Sequence, residues 1–118
     1  MKKLAFVFIA LFLTTASFAQ SSDVQVIKLN QTPGVFDKTT LDLKPGKYIF
    51  EISNENVKQD VGFWLRTPES DKPLKNSDKG GLIKTGKTVR TGVVELTVGT
   101  YTYSCPLNPT PNYKLTVK

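Results

Sequence analysis

Histidine is absent from this chain of 118 residues. That excludes every catalytic or metal-binding scheme built on imidazole, including Ser-His and Cys-His nucleophile pairs. Cysteine occurs once, as Cys105, so no intramolecular disulfide can form. A lone cysteine in an exported chain points to an intermolecular bond, a free thiol or a metal ligand. Methionine occurs only as Met1. The chain also lacks a phosphate-cradling glycine motif, a nucleic-acid module, an internal repeat and a sustained helical period. Asp60 and Glu95 can be named as a carboxylate pair, but nothing in the sequence places them together. An enzyme is therefore not expected, and neither is a nucleic-acid partner.

What is present starts with an export address. Lys2 and Lys3 give a positive start, residues 4–13 are apolar throughout, and Ser17-Phe18-Ala19 offers small residues at a cleavage site. This is the layout of a signal peptide over 1–19, with one domain over 20–118. Its apolar run of about ten residues is too short to cross a bilayer, which takes ~20. The expected location is periplasmic or secreted, with no membrane span after cleavage. The domain, 99 residues long, carries 14 basic and 10 acidic residues, a net of +4. Residues 66–90 alone carry that +4, with seven basic and three acidic side chains. Such a flank is either a solvated loop or a surface that steers an acidic protein partner. Asn30-Gln31-Thr32 matches a glycosylation sequon, a pattern that also arises by chance.

The domain reads as strands separated by turn chemistry. Residues 23–29 are extended, with both faces mostly apolar, so their inward parity stays open. Gln31-Thr32-Pro33-Gly34 and Lys44-Pro45-Gly46-Lys47 are turns. Residues 47–53 alternate and place Tyr48, Phe50 and Ile52 on one face. Val61, Phe63 and Leu65 form another inward set. Residues 67–81 are a long polar loop, expected to be exposed and mobile. Residues 91–98 alternate again and place Val94, Leu96 and Val98 together. Tyr101, Tyr103 and Cys105 share a face, residues 106–111 are proline-rich, and Tyr113, Leu115 and Val117 end the chain. Seven to eight short strands with frequent turns predict an all-β sandwich around one core.

The order of these segments is more specific than any one motif. Gly99-Thr100-Tyr101-Thr102-Tyr103-Ser104-Cys105-Pro106 resembles the penultimate strand of the cupredoxins, which delivers the copper-binding cysteine. Residues 43–50 resemble that family's early hairpin, and Asp60-Val61-Gly62-Phe63-Trp64 the segment after its first copper-ligating histidine. The resemblance covers nearly all of 20–118 and implies a Greek-key β-sandwich or barrel of the cupredoxin type.

It also implies a type 1 copper site of two imidazoles, a thiolate and a weak axial methionine, and here the chain departs. Lys58-Gln59-Asp60 stands where the first histidine belongs. Asn108 and Asn112 stand near the second, and no axial methionine remains. Only Cys105 matches, so the site residues expected are Cys105 with Gln59, Asn108 and Asn112 at or near the lost ligands. Cys105 is either a small buried core residue or a soft ligand for Cu(I). The amides are expected to cap loop backbone. The leading expectation is an exported, monomeric binding or interaction module with a degenerate copper site and no cofactor. The alternatives are a copper protein of unusual ligation, in electron transfer or copper handling, and a secreted protein that dimerises through Cys105.

Overall fold

The computed structural model describes residues 23–118; the expected signal segment lies outside the described residues. Among those described, no helix is long and apolar enough to cross a membrane. Nine strands among the described residues build two facing sheets. The count exceeds seven or eight for two local reasons. Pro33-Gly34 closes a tight hairpin, with Gly34 at φ 79°, and so adds the two-residue β2 (Val35–Phe36) to β1 (Val24–Thr32). The second reason lies at Thr91.

β4 (Gly46–Asn54) is the hub of the first sheet. Its alternating Gly-Lys-Tyr-Ile-Phe-Glu-Ile-Ser-Asn buries Tyr48, Phe50, Ile52 and Asn54 and leaves the intervening positions at least partly in solvent. β1 runs parallel along one side of it, from Val24 opposite Lys47 to Gln31 opposite Asn54. This register settles the parity of β1: Leu29 and Gln31 are fully buried, while Val24 and Val26 are exposed. On the other side, β6 (Thr88–Arg90) and β7 (Val94–Leu96) pair with β4 in succession. Between them the backbone breaks. The Thr91 N–H donates to the Phe50 carbonyl (2.9 Å), and the Phe50 N–H donates to the Thr91 hydroxyl (3.0 Å). A side-chain oxygen thus takes the place of a ladder carbonyl. The strand expected over 91–98 is accordingly shorter, and Val98 is 70% exposed rather than inward. Val98 precedes Gly99, where the chain turns from one sheet into the other and strand parity is lost.

The second sheet runs β3 (Thr40–Leu43), β9 (Tyr113–Val117), β8 (Gly99–Ser104), β5 (Trp64–Arg66), with β3 parallel to β9 and the other pairs antiparallel. The inward faces of the two sheets meet in one core. Eleven of the positions expected to be inward (Tyr48, Phe50, Ile52, Phe63, Leu65, Val94, Leu96, Tyr101, Tyr103, Leu115, Val117) are buried, Val98 being the exception among the inward sets. Phe36 joins them at the centre, edge-on to Tyr103 and Tyr113 with ring centroids 5.6 Å from each. Burying a ring of this size contributes roughly 1.5–3 kcal/mol. The phenols are anchored as well as buried: Tyr103 donates to the Lys38 carbonyl (2.7 Å), and Tyr113 accepts the Phe36 N–H (3.2 Å).

The loop over 67–81 is not the free, exposed segment its composition predicts. Leu74 packs on the core, Ser77 is 1% exposed, and the Leu74 N–H donates to the Leu65 carbonyl at 2.8 Å. Three residues out of fifteen tie an otherwise polar segment to the sandwich: Leu74, Ser77, and Asn76, which donates to the Val93 carbonyl (2.9 Å) and accepts the Gly92 N–H (3.0 Å).

Candidate functional site

β8 brings Tyr101 and Tyr103 into the core and ends at Ser104, so the next residue, Cys105, enters the end of the sandwich at 4% exposure. Pro106 and the residues after it turn at once, and the Thr110 hydroxyl accepts the Cys105 N–H (3.0 Å), which folds the loop back over the thiol. Three backbone N–H groups then point at one sulfur. Cys105 Sγ accepts from Asn108 at 3.1 Å, Gly62 at 3.3 Å and Leu107 at 3.4 Å. Two of these donors come from the loop that follows Cys105, and the third comes from the segment just before β5.

Beside the thiol lies a buried amide network. Gln31, fully buried at the end of β1, donates from Nε2 to the Gly62 carbonyl (2.7 Å). Its Oε1 accepts from Asn108 Nδ2 (3.2 Å), which also donates to the Thr32 carbonyl (3.0 Å). Asn108 Oδ1 accepts the Gly34 N–H (2.8 Å). Asn108 is 3% exposed, so its side chain is spent entirely inside the protein. The network joins three separate segments: the Pro33-Gly34 hairpin, the Gly62 segment and the loop after Cys105. On the neighbouring strand, Asn54 has a comparable role, donating to the carbonyls of Gln59 (2.9 Å) and Ile83 (3.1 Å) and accepting the Val57 N–H (2.9 Å).

The sequence-derived residues separate in space. Cys105 and Asn108 sit together. Gln59 is exposed and donates to the Leu107 carbonyl (2.7 Å), bracing the same loop from outside without reaching the sulfur. Asn112 is exposed and accepts from Arg66 Nη2 (3.0 Å), whose guanidinium stacks over Trp64 at 4.3 Å. Gln31, Gly62 and Thr110 were not anticipated. For Gln31 a signal existed: extending the parity of Ile27 and Leu29 by two residues places a glutamine on an inward face just before Pro-Gly.

A type 1 copper ion does not fit this arrangement. Its donor set is two imidazoles and a thiolate, and this chain has a thiolate to offer but no histidine. The two buried amide oxygens of the neighbouring network, Asn108 Oδ1 and Gln31 Oε1, are each already accepting a hydrogen bond. Among the described residues, no cluster of three or more His, Cys, Asp or Glu can hold a metal.

No family model and no curated relative matches the chain at the level of sequence. Solved structures do match it. Auracyanin B superposes with a TM-score of 0.63 at 18% identity, over 80% of this chain and 88% of its own. Auracyanin A, a "blue" copper protein from Chloroflexus aurantiacus, gives 0.60 at 18% identity, over 81% and 100%. A reduced amicyanin variant gives 0.53 at 16% identity, over 79% and 82%. At such identities the likeness is one of architecture, and it agrees with the two-sheet strand order: the chain has the cupredoxin fold.

Proposed function

We propose that this protein is an exported, non-catalytic binding or interaction module in which the metal end of a cupredoxin sandwich has become a hydrogen-bonded clasp. The observation that carries the reading is the side chain of Asn108. It stands next to the thiol in a chain without histidine, and its bonds to Gln31, Thr32 and Gly34 tie the loop after Cys105 to the Pro33-Gly34 hairpin. In this reading Cys105 is a small buried residue that accepts backbone N–H groups, and its place below the surface keeps it from linking two monomers through a disulfide. The basic residues between 66 and 90 favour an acidic partner.

The deciding experiment adds Cu(II) to protein spanning residues 20–118 and follows the visible spectrum. The expected result is no stable intense absorption. A strong band with reversible redox behaviour, removed by Cys105→Ser, would overturn the clasp reading and establish the alternative, a copper protein of unusual ligation. Mass spectrometry of exported material checks the expected start at Gln20.

A further inference from the structure

A concavity lies away from the thiol, along β7. Tyr101, in its floor, is four residues before Cys105 on β8, about 13 Å of extended chain. Its volume is about 550 Å³, within the ~300–1,000 Å³ of small-molecule sites. Val94 and Tyr101 form a buried floor, Leu74 an apolar wall, and Val93 a lip that is 39% exposed. Lys47 and Lys75 stand at the rim with Glu95, and none of the three makes an ion pair among the described residues.

The wall is built rather than incidental. Asn76 takes a left-handed conformation, φ 71°, and donates from Nδ2 to the Val93 carbonyl (2.9 Å). Its own carbonyl accepts the Gly92 N–H (3.0 Å). The approach is close enough that a Cβ on Gly92 would stand 3.1 Å from the Asn76 Cβ. Ser77 closes the turn by donating from Oγ to the Leu74 carbonyl (2.7 Å). A non-glycine residue at positive φ is held only where its surroundings enforce it. Here the enforcement keeps Leu74 and Lys75 standing off from Val93, so the concavity exists before any ligand arrives.

We propose that this groove binds a small amphiphilic monoanion, a carboxylate on an apolar stem. The stem lies on Leu74, Val93 and Tyr101, and the carboxylate meets the ammonium groups of Lys47 and Lys75. Two rim cations against the single carboxylate of Glu95 leave one positive charge, which matches one negative charge on the ligand. None of these residues touches Cys105 or the amide network, so the site is independent of the clasp reading.

Octanoate is the probe, with octanol and octylammonium as controls of equal stem length. Titration into ¹⁵N-labelled protein should shift the amides of 74–76 and 93–97, with octanoate binding at least ~10-fold tighter than either control. Lys47→Gln combined with Lys75→Gln, both at exposed positions, should remove that preference and leave octanol binding unchanged. Glu95→Gln should tighten octanoate a few-fold at low salt, a gain that a merely greasy groove would not show. Equal binding of octanol and octanoate, shifts centred elsewhere, or an unaltered preference in the double lysine variant would overturn the proposal. Tighter binding of a Glu-Val-Glu-Val-Glu-Val peptide than of octanoate would overturn it too, by making the ligand a protein segment. The copper experiment reads the other end of the molecule, so each can fail alone.

Discussion

If Asn108 is a structural clasp, Asn108→Ala should destabilise the protein far more than a loop substitution ordinarily does. The substitution removes the bonds to Gln31 Oε1, the Thr32 carbonyl and the Gly34 N–H. Each such bond contributes about 1 kcal/mol net. Gln31 Oε1 has no route to water, since Gln31 is 0% exposed, and leaving a buried acceptor unpaired costs about 1–3 kcal/mol. Gln31 cannot rescue itself by turning its amide over, because Nε2 is held by the Gly62 carbonyl. Thr32 and Gly34 are only half-buried and recover some of their loss by hydration. The expected cost is about 3 kcal/mol, a large share of the roughly 5–15 kcal/mol that holds a domain together. For a domain of this size the melting temperature should fall by roughly 12–24 °C. Urea and thermal unfolding of protein spanning residues 20–118 measure this directly. Asn112→Ala is the matched control: the residue is exposed, its side chain bonds Arg66 at the surface, and the change should stay within about 0.5 kcal/mol. If Asn108→Ala is as mild as Asn112→Ala, the clasp argument is wrong.

Phe36→Ala, which empties the space among Tyr103, Tyr113 and Phe63, should cost about 3–5 kcal/mol in urea unfolding; a loss under about 1 kcal/mol would show that the aromatic cluster is not the centre of the core. Burial, chiefly, and then the neighbouring Tyr113 and Asp37 push the Tyr103 phenol above its ordinary range. The neutral form is therefore the native one: stability from this group is intact below pH ~10 and should fall above it by up to ~1.4 kcal/mol per pH unit. Tyr103→Phe should flatten that alkaline limb, though it gives up the bond to Lys38 and about 1 kcal/mol at neutral pH; an unchanged slope refutes the assignment. Hydrogen exchange at the Leu74 and Ser77 amides, which donate to the Leu65 and Leu74 carbonyls, should be much slower than at Asp71 if the loop is tethered as described.

The core was legible because a strand broadcasts its inward face at a period of two. Where one face is apolar and the other polar, as in β4, β8 and β9, the pattern alone names the buried residues. It failed where the period carries no contrast or is interrupted. β1 has valines on its exposed face as well as leucine on its buried one, so only pairing with β4 decides its parity. Phe36 sits in a strand of two residues, too short to show any period. Val98 continues an alternation that the structure abandons at Leu96, because the chain changes sheets there. The loop over 67–81 reads as solvent by composition, yet Leu74, Asn76 and Ser77 decide its attachment.

The thiol end shows the same limit in another form. Cys105 could be located from the strand that leads into it, since distance along a strand translates directly into position. Its neighbours could not, because Gln31, Gly62 and Asn108 lie up to 77 residues apart in sequence and meet only through the Greek-key crossover. Sequence distance also misleads about the candidates themselves. Asn108 and Asn112 are one short loop apart and equally plausible by type, but one is buried with all its bonding capacity used inside and the other faces solvent beside Arg66. What separates them is how the loop curls once the Thr110 hydroxyl has taken the Cys105 N–H. That curl turns Asn108 under the loop, toward Gln31, and it delivers the Leu107 and Asn108 N–H groups to the sulfur in the same step. A loop that supplies N–H donors to its thiol and amide bonds to its neighbouring hairpin holds its shape by hydrogen bonds alone. That gives a chain without histidine a well-packed end to the sandwich.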